Sequence, residues 1–156
     1  MPEEHDRNAA AGLMPEPMQG REYSLPIPVA DEASQEFFDG AKEERLMLLR
    51  CSQCDRYRLP GRERCADCWS TETEWVQASG RGKLYTFGVM HQKYHPAFAD
   101  VTPYNYAIVE LEEGPRLVTN IVECENDDLR TDMPVEAVFD AVSEETTLIR
   151  FKPIVR

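Results

Sequence analysis

The chain has 156 residues, 42% of them hydrophobic and 29% charged, with 29 acidic against 17 basic side chains and a formal net charge of -12. This length holds one compact domain, or one domain with a small module attached, and excludes a large multidomain enzyme, while the charge repels polyanions such as nucleic acid outside any local basic patch. No run approaches the roughly 20 apolar residues a membrane helix needs, and the acidic N-terminus lacks the basic and apolar blocks of a secretory signal, so the expected setting is the cytoplasm with no membrane partner.

Residues 1–30 hold five of the eleven prolines and no sustained apolar period, and read as an extended or disordered arm. Asp31 then stands as an N-cap candidate before Ala33, Phe37, Phe38 and Ala41 at helical spacing, which predicts a helix over about 31–44 inside a docking segment 31–45. Two adjacent phenylalanines on so short a helix require a surface to bury against, on the domain or on a partner. Residues 1–41 carry 2 basic and 9 acidic side chains, net -7.

Cys51-Ser-Gln-Cys54 and Cys65-Ala-Asp-Cys68 give C-x2-C-x10-C-x2-C. Two residues between cysteines let both thiolates of a knuckle turn toward one point, and two knuckles complete a tetrahedral four-sulfur site. Disulfides are the competing reading, but a reducing compartment keeps the thiolates free for metal. Four thiolates leave no open coordination position, so the metal is expected to be structural zinc, with iron the alternative for the same ligand count. Runs at 46–49 and 57–60 are the expected strands of a ribbon covering 46–73. Residues 42–83 hold 9 basic and 7 acidic side chains, net +2, with Arg56, Arg58, Arg62 and Arg64 crowded around the cysteines. On the ordinary reading these arginines are solvated or paired with Asp55, Glu63 and Asp67; on the functional one they meet phosphates.

From Glu74 onward, short runs rich in Val, Ile, Tyr, Phe and Thr alternate with turn signals. Strands are expected at about 83–92, 104–111, 116–124, 135–142 and 147–152, which makes a five-stranded OB-like barrel over 74–156. Glu113-Gly114-Pro115 is the expected turn of a hairpin between the second and third. Along the fourth, Val135, Ala137, Phe139 and Ala141 are expected inside, with Glu136 and Asp140 in water. Gly80 and Gly82 mark a bend or bulge at the start of the first. The whole is a mostly β chain: helix, four-cysteine ribbon, barrel.

Cys124 lies between Glu123 and Glu125 and reads as an inert, buried thiol. His91 and His95 have H-x3-H spacing, but on a segment that leaves a strand and runs into Pro96, where helical ligand geometry is absent. The loop from Tyr94 to Pro103 is instead a candidate docking or lid loop, with His91, Tyr94, His95 and Phe98 as its exposed chemistry. The acidic residues from Glu123 to Asp128 read as a solvated turn. No nucleophile elbow, phosphate-cradling glycine loop or paired base and nucleophile is present, so no catalytic residue is nominated and the chain is not expected to be an enzyme by itself.

Phe37-Phe38, the two knuckles, the run from Gly80 to Phe87, Pro103-Tyr104, Glu112-Glu113-Gly114 and Met133-Pro134-Val135, taken in order over residues 31–156, resemble the family of OB-fold acyl-CoA-associated proteins with a rubredoxin-like zinc ribbon. The family often has glycine just before the Met-Pro-Val element, where this chain has Asp132. The resemblance implies a non-catalytic accessory subunit of a thiolase-like enzyme, with the nucleophilic cysteine on the other polypeptide. Such a subunit organises or channels acyl-CoA in acyl transfer or in retro-aldol cleavage, including that of steroid side-chain CoA esters. Arg56, Arg58, Arg62 and Arg64 are then candidate contacts for CoA phosphates. A single-stranded nucleic-acid binder is the alternative, since OB barrels and zinc ribbons both serve that use, but the net -7 of residues 84–156, with 6 basic and 13 acidic side chains, opposes it.

Overall fold

A computed structural model describes residues 23–154. Most of the expected arm, residues 1–22, lies outside the described residues. Its last part runs without regular structure against the body of the protein: Leu25 is buried, and Arg150 Nη2 donates to the Tyr23 hydroxyl at 3.4 Å.

Helix α1 spans Gln35–Lys42 and is shorter than the sequence predicts. Asp31 caps a turn rather than the helix, because it and Ser34 satisfy one another: the Ser34 amide donates to Asp31 Oδ1 at 2.9 Å and the Asp31 amide to Ser34 Oγ at 3.0 Å. At the other end Glu44 turns left-handed at φ 58°, and the amides of Glu44 and Arg45 reach back to the Ala41 and Gly40 carbonyls. This is a Schellman stop, with glutamate where glycine is usual.

The ribbon is a three-stranded antiparallel sheet in the order β2-β1-β3, with β1 at Met47–Cys51, β2 at Tyr57–Arg58 and β3 at Thr73–Gln77. The strand at 73–77 has no counterpart among the expected elements: it pairs with all of β1, from Met47 opposite Gln77 to Cys51 opposite Thr73. The second sheet curls into a half-barrel in the order β6-β5-β4-β7-β8, formed by β4 (Arg81–Met90), β5 (Tyr104–Leu111), β6 (Arg116–Thr119), β7 (Pro134–Ala141) and β8 (Thr147–Pro153). These are the five expected strands. The β5–β6 hairpin closes at Gly114, whose φ of 107° suits glycine. Gly82 lets β4 and β5 approach, since a Cβ there would strike the Glu110 carbonyl oxygen.

Two departures from the sequence reading have physical causes. Strand β6 ends at Thr119 and not at Cys124, because Asn105 on β5 takes over the pairing: its Nδ2 donates to the Ile121 carbonyl and its Oδ1 accepts the Ile121 amide, both at 2.8 Å. The chain then crosses to β8, where Ile121 makes a parallel bridge with Phe151 and draws the half-barrel together. Asp140, expected in water, is buried with a salt bridge of 2.7 Å to Arg150 Nε, because α1 and residues 23–25 cover the face that period-two alternation assigns to solvent. Ala141, expected inside, is exposed. Asp132 adopts φ 63°, the conformation that glycine supplies most readily, and donates its amide to the Leu84 carbonyl at 2.8 Å.

Both sheets share one core. Leu46 and Leu48, beside and within β1, pack with Leu84, Val109, Ile121, Val135 and Phe151 of the half-barrel, all essentially inaccessible to water. The ribbon is therefore built onto the barrel rather than tethered to it.

Candidate functional site

Each cysteine knuckle repeats the same backbone plan. In the first, the Cys51 carbonyl accepts the Asp55 amide at 3.0 Å; in the second, the Cys65 carbonyl accepts the Trp69 amide at 3.0 Å. The residue after the second cysteine turns left-handed in both, Asp55 at φ 58° and Trp69 at φ 62°. The two loops thus present four sulfurs inward: Cys51 and Cys68 lie 3.5 Å apart, as do Cys54 and Cys65, and all four Sγ atoms fall within 4.8 Å of one another. A disulfide needs about 2.05 Å. A tetrahedron of thiolates at about 2.3 Å from a zinc ion has edges of roughly 3.8 Å, so these positions fit the ion.

Backbone amides tune the set. Those of Cys54 and Gln53 lower the Cys51 thiol, and those of Cys68 and Asp67 bring Cys65 down to about 6. At Cys54 the Arg56 amide lowers the thiol, but the facing Cys65 sulfur and burial outweigh it and push it up to about 12. At Cys68 the Ser70 amide is likewise outweighed, by burial and the Cys51 sulfur. Two thiols ionise easily under the backbone amides, and two resist because a facing sulfur and burial together outweigh theirs. A divalent cation removes that conflict, and with four sulfur ligands it has no position left for water or substrate. Among the described residues, this is the one group of three or more His, Cys, Asp or Glu side chains placed to hold a metal.

The arginines around the metal centre differ in their partners. Arg58 donates to the backbone carbonyls of Arg62, Glu63 and Arg64, and so braces the loop between the knuckles, while its own Nε is buried without a partner. Arg64 Nη1 donates to the Trp69 carbonyl at 3.3 Å. Arg56 pairs with Asp67 at 2.9 Å on the surface. Arg62 has no side-chain hydrogen bond or ion pair among the described residues. All four line one groove of about 560 Å³ between the ribbon and the β5–β6 hairpin, which adds Arg116 to it. The sequence reading missed Arg116, which follows the hairpin turn and lies 51 positions beyond Cys65. It also missed Trp69, which is 71% exposed. Four residues, Arg62, Arg64, Cys65 and Ala66, are shared by this groove and the one beside Trp69.

Among the described residues, His91 and His95 belong to no group of three or more metal-ligating side chains. His95 caps a short 3-10 turn at Pro96–Phe98, its Nδ1 accepting the Ala97 amide at 3.1 Å. Phe98 stacks on Tyr104 of β5 at 5.1 Å, which holds the loop to the barrel, and Tyr94 stands 73% exposed at its tip. Cys124 is half-buried; burial, then Asp128 and Glu125, push its thiol up, which makes it a poor nucleophile.

Metal-clamped ribbon and curled five-stranded sheet together define a zinc-ribbon OB-fold protein. Two family profiles match in tandem: "ChsH2, rubredoxin-like zinc ribbon domain" over residues 38–74 and "ChsH2, C-terminal OB-fold domain" over residues 75–140. The chain belongs to this DUF35/ChsH2 family. It is 40% identical over 121 residues to a "DUF35 domain-containing scaffold protein" of Methanocaldococcus jannaschii, spanning 72% of this chain and 85% of that one. It is 38% identical over 130 residues to a "Probable enoyl-CoA hydratase alpha subunit" of Thermomonospora curvata, covering 83% of this chain but only 40% of the length of that relative. A "Benzoylsuccinyl-CoA thiolase subunit BbsA" of Geobacter metallireducens is 38% identical over 87 residues, 56% of each chain. The solved "Ltp2-ChsH2(DUF35) aldolase" superposes with a TM-score of 0.73 at 38% identity, over 83% of this chain and 100% of that one. No helix among the described residues is long and apolar enough to cross a membrane.

Proposed function

We propose that the chain is a non-catalytic accessory subunit that docks on a thiolase-like or aldolase polypeptide and helps to position an acyl-CoA thioester, in acyl transfer or retro-aldol cleavage. The observation that carries this reading is the match over the full length of the DUF35 chain of a two-protein aldolase, supported by a relative named as a thiolase subunit. The chemistry of the chain is consistent with it: its metal is coordinatively closed, and at its one cysteine outside the cluster, Cys124, burial and the nearby carboxylates outweigh the lowering effect of Arg130. The nucleophile then belongs to the partner. The loop carrying His91, Tyr94, His95 and Phe98, and the exposed Tyr106 and Val118 on the outer face of β5 and β6, are the surfaces assigned to docking. Thiolates awaiting zinc need a reducing compartment, which supports a cytoplasmic setting for the assembly. Co-expression of the untagged chain with its genomic neighbours tests the proposal: a thiolase-like chain should co-purify with it in fixed ratio. Its persistent absence, or turnover of acyl-CoA by this chain alone, sinks the reading.

A further inference from the structure

We infer that the groove between the ribbon and the β5–β6 hairpin binds the nucleotide end of coenzyme A, its phosphates on Arg56 and Arg62 and its adenine against the indole of Trp69. This rests on the acyl-CoA reading above and names the part of the substrate that this chain, rather than its partner, receives.

Charge is the first ground. The groove and its continuation beside Trp69 are lined by five arginines, Arg56, Arg58, Arg62, Arg64 and Arg116, against Asp67 and Glu63; Arg116 is already paired with Glu110 at 2.9 Å, which leaves a local charge of +2 on a chain of -12. The nucleotide end of CoA, a diphosphate and a 3′-phosphate, carries roughly four negative charges at neutral pH. Partner type is the second. Arg58 and Arg64 are held by backbone carbonyls, which orient a guanidinium without neutralising it. Arg62 is left to the ligand, and Arg56 meets a carboxylate only in an exposed pair that a phosphate can replace. The hydrophobic ring is the third. An indole 71% exposed, on a backbone fixed in a left-handed turn by the Trp69 amide bond to Cys65, is a flat face left largely open by the described residues. Because Cys65 lines both grooves, the metal knuckle sets the spacing between the arginines and the indole. The space, about 560 Å³ beside the arginines and about 460 Å³ beside the indole, is of the size that small-molecule sites have.

The test titrates the zinc-loaded full chain, alone and in its co-purified assembly, with coenzyme A, adenosine 3′,5′-bisphosphate, pantetheine and a labelled oligo-dT. Calorimetry and tryptophan fluorescence read the binding. Coenzyme A and the bisphosphate are expected to bind within about threefold of each other and pantetheine not at all, with binding weakened at high salt. Arg62→Ala, Arg62→Gln and Trp69→Ala should each weaken the bisphosphate about tenfold. Trp69→Phe should abolish the fluorescence change, and Lys152→Ala should leave affinity unchanged, with zinc content and circular dichroism verifying every fold. Pantetheine binding as tightly as coenzyme A, wild-type affinity in the Arg62 and Trp69 variants, or no bisphosphate binding in either preparation overturns the inference. Oligo-dT bound tenfold tighter than the bisphosphate also overturns it, in favour of nucleic acid. A co-purifying partner without bisphosphate binding defeats this inference alone; bisphosphate binding without any partner defeats the subunit reading and leaves the groove.

Discussion

Removing the metal should destabilise the barrel as well as the ribbon. Strand β1 ends at the ligand Cys51, and three positions earlier Leu48, fully buried, enters the core shared with Val109 and Phe151; Leu46 is 1% exposed in the same cluster. Without the ion the knuckles have little to close on, and four-sulfur ribbons of this size draw about 10 kcal/mol of folding free energy from the metal. If β1 frays, two leucines leave the barrel core at about 1.5–3 kcal/mol each, a loss of roughly 3–6 kcal/mol from a domain whose total stability is of the order of 5–15 kcal/mol. For a domain of this length that corresponds to a fall in Tm of roughly 6–24 °C. The assay is hydrogen exchange of the Ala107 and Val109 amides in β5, far in sequence from every ligand, with and without a zinc chelator, and in Cys65→Ser. Protection should collapse together with that of β1 and β3. An apo protein that keeps β5 protection and melts within about 3 °C of the holo form would refute the shared-core argument and show two independent modules.

Asp140→Asn should cost about 3–5 kcal/mol in urea unfolding, because it leaves the Arg150 guanidinium, 3% exposed, facing no carboxylate; Asp140→Leu with Arg150→Met should recover most of it. Glu44→Gly should stabilise by up to about 1 kcal/mol, measured as a higher urea midpoint at unchanged slope, since Glu44 holds φ 58° at the helix stop. Glu110 is held below the ordinary carboxylate range by Arg116 and then Lys83, so its contribution is complete above the unfolded glutamate pKa and is lost as pH falls through the lower folded value. A carbon-13 titration should show Glu110 protonating after the exposed glutamates on acidification, and Arg116→Ala should move it up; an unmoved Glu110 defeats that attribution.

Much of this architecture is legible in the chain because its strongest signals are local. C-x2-C spacing fixes a knuckle by itself, and Glu113-Gly114-Pro115 fixes a hairpin, so the metal centre and the five strands of the half-barrel need no long-range information. What escaped depends on pairings between distant residues. The third ribbon strand, Thr73–Gln77, is a strand only because β1 lies beside it. Asp140 alternates like a solvent residue, and only the docking of α1 and Tyr23 over that face, with Arg150 opposite, makes burial tolerable. The early end of β6 follows from a single side chain, Asn105, acting as a backbone mimic 16 residues away. Periodicity describes which residues share a face; it does not say what covers the other one.

The same distinction bears on Trp69. The two knuckles impose one conformation at equivalent positions, and Asp55 meets it with a short polar side chain suited to the left-handed region. Tryptophan at the second position accepts the same backbone strain, of the order of 1 kcal/mol, and gains little burial in return. Folding alone favours glycine, asparagine or aspartate there. A residue that breaks the local rule at a metal-set corner, next to guanidinium groups held by carbonyl oxygens, is the feature that the proposed nucleotide site would explain.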